Sequence, residues 1–171
     1  MKFRLNSIPY GKPGWIDYED IVCDIFKGCL QPKYISEPFT QEVSPNPNFR
    51  RDIILPLTVE GNFWHYLSVV YKGSLIIVEC KNYTDPITQE EVTSTLKYIT
   101  RPAVSNLAFI VSRKGASPEA FRLAIDLYKT VNKLFIFIDD KHLIDLIDLN
   151  GRPDDATSYI RDLYNNQKAI M

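Results

Sequence analysis

The sequence predicts an α/β protein in which helices cover both faces of a central mixed β-sheet. Three continuous apolar runs, at residues 75–78, 107–111 and 134–138, are typical of strands buried on both faces. Segments with the spacing or capping residues of helices lie between these runs. Because strands and helices alternate along the chain, a layered arrangement of helix, sheet and helix is expected.

The N-terminal region is expected to lead into a first helix. Residues 1–14 contain two prolines and two glycines, which favours an extended arm. Apolar residues then recur at intervals of three and four from Trp15 to about Phe26, which is the stripe of an amphipathic helix. Gly28 is placed to end that helix.

The next stretch predicts two strands and a helix. Residues 34–40 favour a short strand, and residues 41–48 an exposed loop. A second strand is expected to begin near Arg50 and to stop at Pro56, which cannot donate to a sheet ladder. Residues 62–72 fit both a helical stripe and a strand, and we favour a helix.

Two later helices have clear N-terminal signals. Thr88 is a plausible N-cap for a helix over residues 88–100, with acidic residues in its first turn. Ser117 and Pro118 form an N-cap followed by proline at the first helical position, which opens a helix to about Tyr128. Both helices follow predicted buried strands.

The length of 171 residues and the hydrophobic content of 45% predict a single domain with one sizeable core. Its terminal parts are the arm over residues 1–14 and a C-terminal helical segment over residues 150–171. Short helices are expected at 140–148 and 154–166. The three cysteines lack the spacing of a zinc site or a disulfide framework, so reduced, packed thiols are expected.

The net charge and the hydropathy of the sequence limit the kinds of partner that the protein is expected to bind. The net charge is −1, so any contact with DNA must come from a local group of basic residues. No stretch approaches the roughly 18 consecutive apolar residues of a membrane helix, and the N-terminus has no apolar signal region. We therefore expect a soluble, cytoplasmic protein with no membrane partner.

The residues whose side chains are suited to catalysis lie at the end of the strand at residues 75–78. Residues i and i+2 of a strand share a face, so Glu79 and Lys81 should project together while Cys80 points to the opposite face. Charges at the end of a buried apolar strand are costly unless they are paired, hydrated or bound to a metal. Asp52 lies beside an apolar run on the preceding strand.

If these two strands are neighbours, Asp52 and Glu79 can offer hard oxygen ligands to one Mg²⁺, and the backbone carbonyl of Cys80 can supply a third. Lys81 would stand beside the activated water and stabilise developing negative charge. The alternative is structural: Asp52 pairs with Arg51 or Lys81, and Glu79 belongs to a surface ion pair. The spacing alone leaves both interpretations open.

The segments 51–54 (Arg-Asp-Ile-Ile) and 77–83 (Ile-Val-Glu-Cys-Lys-Asn-Tyr) resemble the PD-(D/E)XK superfamily of restriction-endonuclease-like nucleases, especially its Mrr-like restriction branch. The resemblance covers most of the chain and implies that Asp52, Glu79 and Lys81 form the catalytic metal site. An acid on the first helix often joins it, and here Glu19 is the candidate ligand or water-orienting base, the alternative being an exposed helical glutamate. Arg51 stands where the motif name has proline, and the interval between Asp52 and Glu79 is long.

The resemblance implies a restriction-endonuclease-like three-layer fold and a Mg²⁺-dependent DNA endonuclease, with Mn²⁺ as a substitute. It also implies a role in defence against foreign DNA, as a homodimer or as a subunit of a larger assembly. A catalytically silent DNA-binding or assembly module, and a nuclease acting on RNA or on branched DNA, remain alternatives. The candidate substrate contacts are the side chains of Arg51, Gln89, Arg113 and Lys114, each of which also fits an ordinary surface role. The resemblance also implies that the helix after Lys81 lines the cleft, where Gln89 and Glu91 would support the metal site, the alternative being polar surface at a helix N-terminus.

Overall fold

The computed structural model describes residues 1–42, 51–58, 62–101 and 104–171, and the side chains of residues 40–42, 51, 52 and 62 also lie outside the description. Its described strands form one five-stranded sheet in the order β1-β2-β3-β4-β5. The strands are β1 (Phe39–Glu42), β2 (Arg51–Pro56), β3 (Leu75–Lys81), β4 (Val104–Ser112) and β5 (Leu134–Ile138).

The sheet changes direction at its centre. β2 runs antiparallel to both of its neighbours, β1 and β3, and Ile53 of β2 lies opposite Val78 of β3. β3, β4 and β5 run parallel, with Glu79 opposite Ile110. Parallel neighbours require a crossover, which here contains a helix. The sheet is therefore mixed, as the sequence predicts, and β3 is the strand at which the pairing changes.

The helices of the described residues are α1 (Lys2–Ser7), α2 (Trp15–Leu30), α3 (Asn62–Val70), α4 (Gln89–Leu96), α5 (Pro118–Val131), α6 (Asp140–Asp148) and α7 (Pro153–Ala169). A single 3₁₀ turn, Lys12–Gly14, precedes α2. Among these described helices, none has both the length and the apolar composition required to cross a bilayer.

Side chains of β3 alternate between two hydrophobic clusters. Ile76 and Val78 pack on what we call the first face, which is covered by α2, α3, α6 and α7. Ile77 packs on the second face, which is covered by α4 and α5 through residues such as Val92 and Ala124. A sheet buried on both sides explains the continuous apolar runs of its central strands.

Several predicted elements are confirmed. β5 has the predicted bounds, and the ambiguous segment after residue 61 is helical. The Thr88 side chain accepts a hydrogen bond from the backbone N–H of Glu90, and the carboxylate of Glu91 accepts from the N–H of Thr88. Ser117 caps α5 by accepting from the N–H of Ala120. Local capping chemistry therefore determined where these helices begin.

The first predicted strand and the loop after it differ from the structure. β1 begins at Phe39 rather than at residue 34, and Ile35 makes only an isolated bridge to Leu57. The predicted loop begins within β1, and residues 43–50 lie outside the described part, so most of that prediction stays untested.

The N-terminal 14 residues are not an extended arm. They contain α1 and the 3₁₀ turn, and the Leu5 side chain is fully buried on the first face. The sequence shows prolines and glycines only from residue 9 onward, so the earlier residues were free to form a helical turn and bury one apolar side chain.

The first long helix also extends beyond its predicted end. α2 continues through Gly28 to Leu30, because Cys29 and Leu30 are buried in the first-face core. Gly28 serves close packing instead, since a Cβ there would meet the side-chain oxygen of Asn150 at 2.1 Å. Its carbonyl accepts a hydrogen bond from the N–H of Gly151 at 3.0 Å.

We expect Thr88→Ala to lower the free energy of unfolding by about 1 kcal/mol, because it removes the oxygen that caps α4. Thr93→Ala on the same helix is the matched control, with an expected change within about 0.5 kcal/mol. Urea unfolding followed by circular dichroism measures both. Equal stability of the two variants would show that the cap contributes nothing.

Candidate functional site

The end of β3 holds a buried pair of opposite charges. Glu79 and Lys81 have side chains only 2% exposed, and Lys81 Nζ donates a hydrogen bond to Glu79 Oε1. Alternation along the strand places both on the second face, whereas the half-buried Cys80 packs against the first-face core. The predicted orientation of these three residues is confirmed, and the surface ion pair considered for Glu79 is wrong because both partners are buried.

β2 lies beside β3, which was the condition for a shared site. Ile53 is opposite Val78, so extending the antiparallel register by one residue brings the backbone of Asp52 opposite Glu79. Asp52 and Arg51 belong to β2 by their backbone, and their side chains lie outside the described part of the chain. The neighbouring backbones therefore have the arrangement that the predicted site requires.

Glu19 lies on α2, which contacts both β2 and β3. Its side chain is buried, with 7% of the residue exposed, so the alternative of an exposed helical glutamate is wrong. α2 covers the first face of the sheet, whereas Glu79 and Lys81 project from the second, so Glu19 could reach their site only around the end of the strands. Whether Glu19 acts as a ligand or as a base stays a prediction.

Arg113, at the end of β4, is buried in a hydrogen-bond network. Its Nε donates to Asn82 Oδ1 at 2.7 Å, and its Nη1 donates to Asp140 Oδ2 at 2.9 Å. Nη1 also donates to the backbone oxygen of Leu5 at 3.1 Å, and Nη2 to that of Ile8 at 2.9 Å. One guanidinium thus connects β3, α6 and the N-terminal residues.

Two aromatic rings complete the surroundings of this guanidinium. Arg113 Cζ lies 4.8 Å from the ring centre of Tyr10 and 4.4 Å from that of Tyr18, within the range of cation–π contacts. The Tyr18 hydroxyl donates to Asp140 Oδ1 at 2.9 Å. Burial, reinforced by the nearby Asp140 carboxylate, raises the pKa of Tyr18 well above its ordinary value, so the phenol stays a neutral donor.

This geometry gives Arg113 a structural role rather than the phosphate contact considered from the sequence. Its described hydrogen bonds are made to protein atoms, and the residue is 6% exposed. Lys114, the next residue, is exposed and keeps its candidacy as a phosphate contact. The basic pair therefore divides into one internal and one external cation.

Asn82 follows Lys81 directly and joins the same network. Its Nδ2 donates to the backbone oxygens of Pro9 and Gly11, each at 2.9 Å. The N–H of Gly11 donates to the Asn82 carbonyl at 2.6 Å. The N-terminal residues thus hold the chain immediately after Lys81. Sequence reasoning missed the role of Asn82 because Pro9 and Gly11 lie more than 70 positions from it and Arg113 lies 31 positions from it, and no local pattern connects them.

The start of α4 lies near the end of β3 and is acidic. Gln89 is exposed, and its Nε2 makes one long hydrogen bond of 3.4 Å to the Glu119 carbonyl. Glu91 completes the cap of α4, so its surface role is sufficient explanation. A cavity of about 360 Å³ beside these residues is lined partly by Asp85, Glu90 and Glu91, a charge that disfavours a phosphate at this position.

Of the three ligands predicted for magnesium, Asp52, Glu79 and the Cys80 carbonyl, Glu79 is the one carboxylate whose side chain the structure describes. In the described part of the chain, no three His, Cys, Asp or Glu side chains lie close enough to hold a metal ion. The other predicted ligands are the Asp52 carboxylate, which is outside that part, and the backbone carbonyl of Cys80. The donors proposed are hard oxygens, the type that Mg²⁺ prefers.

The chain matches no protein-family model, and neither a curated protein nor a solved structure matches it. The fold and the site alone define its class. It is an α/β protein with a mixed sheet covered by helices on both faces, and an acid–lysine pair is buried at the end of the strand where the pairing changes.

We expect Arg113→Met to lower the free energy of unfolding by about 3–5 kcal/mol, because it leaves the partners of a buried cation without their donor. Lys114→Met removes an exposed cation one residue away, and its expected effect is within about 0.5 kcal/mol. Urea unfolding of both variants measures the difference. Equal losses of unfolding free energy in the two variants would show that the hydrogen bonds of Arg113 stabilise the fold no more than an exposed lysine does.

Proposed function

We propose that this protein is a metal-dependent endonuclease that hydrolyses phosphodiester bonds in DNA, using Mg²⁺ or, as a substitute, Mn²⁺. The observation that carries the proposal is the buried Glu79–Lys81 pair, next to the strand that contains Asp52. We further propose that the layered α/β architecture is the restriction-endonuclease-like one that the motif residues resemble.

Placing a glutamate and a lysine inside the protein at the end of β3 has an energetic cost. Desolvating two charges is expensive, and replacing a buried ion pair with apolar residues of similar volume is often neutral or stabilising. Neighbouring positions of β3 are apolar, so apolar residues at positions 79 and 81 would also suit a buried strand. A chemical role explains why this strand ends in charged residues.

In the proposed reaction, the oxygens of Asp52, Glu79 and the Cys80 carbonyl would hold the ion. Magnesium, when bound, polarises the phosphate and lowers the pKa of a water molecule. The Lys81 ammonium stabilises the negative charge that develops on the phosphate oxygens. Glu19 orients the attacking water or accepts its proton. The water oxygen bonds to phosphorus while the bond to the leaving sugar oxygen breaks, and that oxygen takes up a proton from solvent to leave as a hydroxyl group.

DNA binding in this proposal depends on few cations. With a net charge of −1, long-range attraction is weak, so the exposed Lys114 and the side chain of Arg51 are proposed to hold the DNA backbone near the site. A break in both strands needs two cuts, which a symmetric homodimer or a larger defence assembly would supply.

The same ion pair also favours a second candidate. Because Glu79 and Lys81 contact each other directly, the pair is compatible with a purely structural role and with a DNA-binding or assembly module that lacks catalysis. The two candidates differ in whether the unaltered protein cleaves DNA, which the first of the following experiments measures, and the second experiment tests whether the pair is needed for cleavage.

We expect the protein to nick or linearise supercoiled plasmid in the presence of Mg²⁺ or Mn²⁺, and Asp52→Ala to lower the rate by about 100-fold or more. Asp126→Ala, which removes an exposed carboxylate of α5, is the matched control and should cleave normally. Agarose gels with purified proteins measure the rates. Cleavage of RNA or of branched DNA alone would change the substrate, and equal cutting by Asp52→Ala would remove this centre from the mechanism.

We expect Lys81→Met to lower the free energy of unfolding by about 3–5 kcal/mol, because Glu79 loses a buried partner. The double variant Glu79→Met with Lys81→Met replaces both charges by apolar side chains of similar volume and should recover most of this stability while remaining inactive. Urea unfolding and the plasmid assay are run on the same preparations. A stable double variant that still cleaves would make the pair structural.

A further inference from the structure

A second concave surface lies between α3 and α7, on the first face of the sheet. We call it the α3–α7 groove; it has a volume of about 330 Å³ and is lined by Phe63, Tyr66, Arg161, Tyr164, Asn165 and Lys168. The four residues from α7 recur at intervals of three and four, so they share one side of that helix. Glu79 and Lys81 project from the second face, which separates the groove from the candidate catalytic site.

One wall of the groove is aromatic. The ring of Phe63 meets that of Tyr164 edge to face, with centres 5.7 Å apart. Tyr66 meets Tyr164 in the same manner at 6.5 Å, and 42% of Tyr66 is exposed to solvent. Packing against Tyr164 fixes the orientation of the Tyr66 ring while leaving much of its surface accessible, which suits stacking on a planar ligand.

The rest of the groove is positively charged. The described residues of its lining include Arg161 and Lys168 and no acidic side chain. Considering only the residues that the structure describes, neither cation forms an ion pair with a carboxylate. Lys168 Nζ donates to the Tyr164 hydroxyl at 2.9 Å. Burial lowers the pKa of Lys168, but its hydrogen bonds with Tyr164 and Tyr128 outweigh this and raise it, so the ammonium is maintained.

The spacing of the two cations indicates what kind of anion fits. Arg161 and Lys168 are seven residues apart on one helix, so their Cα atoms are separated by about 10 Å along the axis. That separation suits two successive phosphates better than one. An accessible aromatic ring beside a row of cations is the combination by which proteins bind single-stranded nucleic acids. A volume of about 330 Å³ is at the lower end for small-ligand sites.

We propose that the α3–α7 groove binds a segment of single-stranded nucleic acid, with a base stacked on Tyr66 and neighbouring phosphates held by Arg161 and Lys168. This goes beyond the proposed nuclease activity and does not depend on it, because different residues on the other face of the sheet are involved. It assigns the protein a second contact with nucleic acid.

The test measures binding of a fluorescent oligothymidylate of about ten nucleotides, a length within the usual site sizes for single strands. Anisotropy is recorded with excess EDTA, so that metal-dependent cleavage neither occurs nor affects the result. We expect Tyr66→Ala to weaken binding about tenfold and Tyr66→Phe, which keeps the ring, to change it less than twofold. Duplex DNA and thymidine monophosphate should each compete at least about tenfold less well than unlabelled oligothymidylate.

Salt dependence tests the phosphate contacts separately. Two contacts to a single strand predict a slope of log affinity against log salt of about −1.4, and Arg161→Ala should reduce it to about −0.7. Arg122→Ala, which removes an exposed arginine from α5, is the matched control and should leave both slope and affinity unchanged. Thermal melting verifies that each variant is folded. Because Arg161 is exposed, Arg161→Ala should fold normally and can test the proposal even if Tyr66→Ala is unstable.

Several results would overturn the proposal. These are absence of oligothymidylate binding, binding that survives both Tyr66→Ala and Arg161→Ala, and equal competition by duplex DNA or by thymidine monophosphate. If the unaltered protein binds oligothymidylate but does not cleave plasmid, the nuclease proposal is contradicted and the groove proposal is supported. The reverse combination would contradict the groove alone.

Discussion

Burial of β3 on both faces is the constraint on which the rest of the structure depends. Its apolar side chains alternate between two hydrophobic clusters, so helices must cover the sheet on both sides. Antiparallel pairing with β2 and parallel pairing with β4 also meet at this strand. At the end of β3, apolar side chains are replaced by those of Glu79 and Lys81, whose charges remain inside the protein.

The region just beyond β3 is held by polar contacts rather than by apolar packing. Arg113 and Asn82 connect the end of the sheet to the N-terminal residues and to Asp140 on α6. A buried guanidinium is tolerated because its donors reach carbonyl, amide and carboxylate oxygens and because aromatic rings lie over it. The network fixes the backbone that follows Lys81, which limits how far the acid–lysine pair can move.

The two proposed contacts with nucleic acid lie on different faces of one sheet. Glu79 and Lys81 belong to the second face, and the α3–α7 groove to the first. Their chemistry also differs, because one offers a carboxylate and an ammonium with little exposure and the other an accessible tyrosine with two cations. Separate sites allow a chain of net charge −1 to contact a polyanion without a broad basic surface.

The sequence by itself determined the features that local chemistry controls. Apolar runs located the central strands, the residues Thr88 and Ser117 located two helix starts, and strand alternation placed Glu79 and Lys81 together. Only the tertiary structure decided that Arg113 is internal, that Gly28 lies inside α2, and that the N-terminal residues fold back onto the end of β3. It also formed the α3–α7 groove from segments about 100 positions apart. Capping and alternation act between near neighbours in the chain, whereas burial and long-range hydrogen bonds depend on which distant segments the fold brings together.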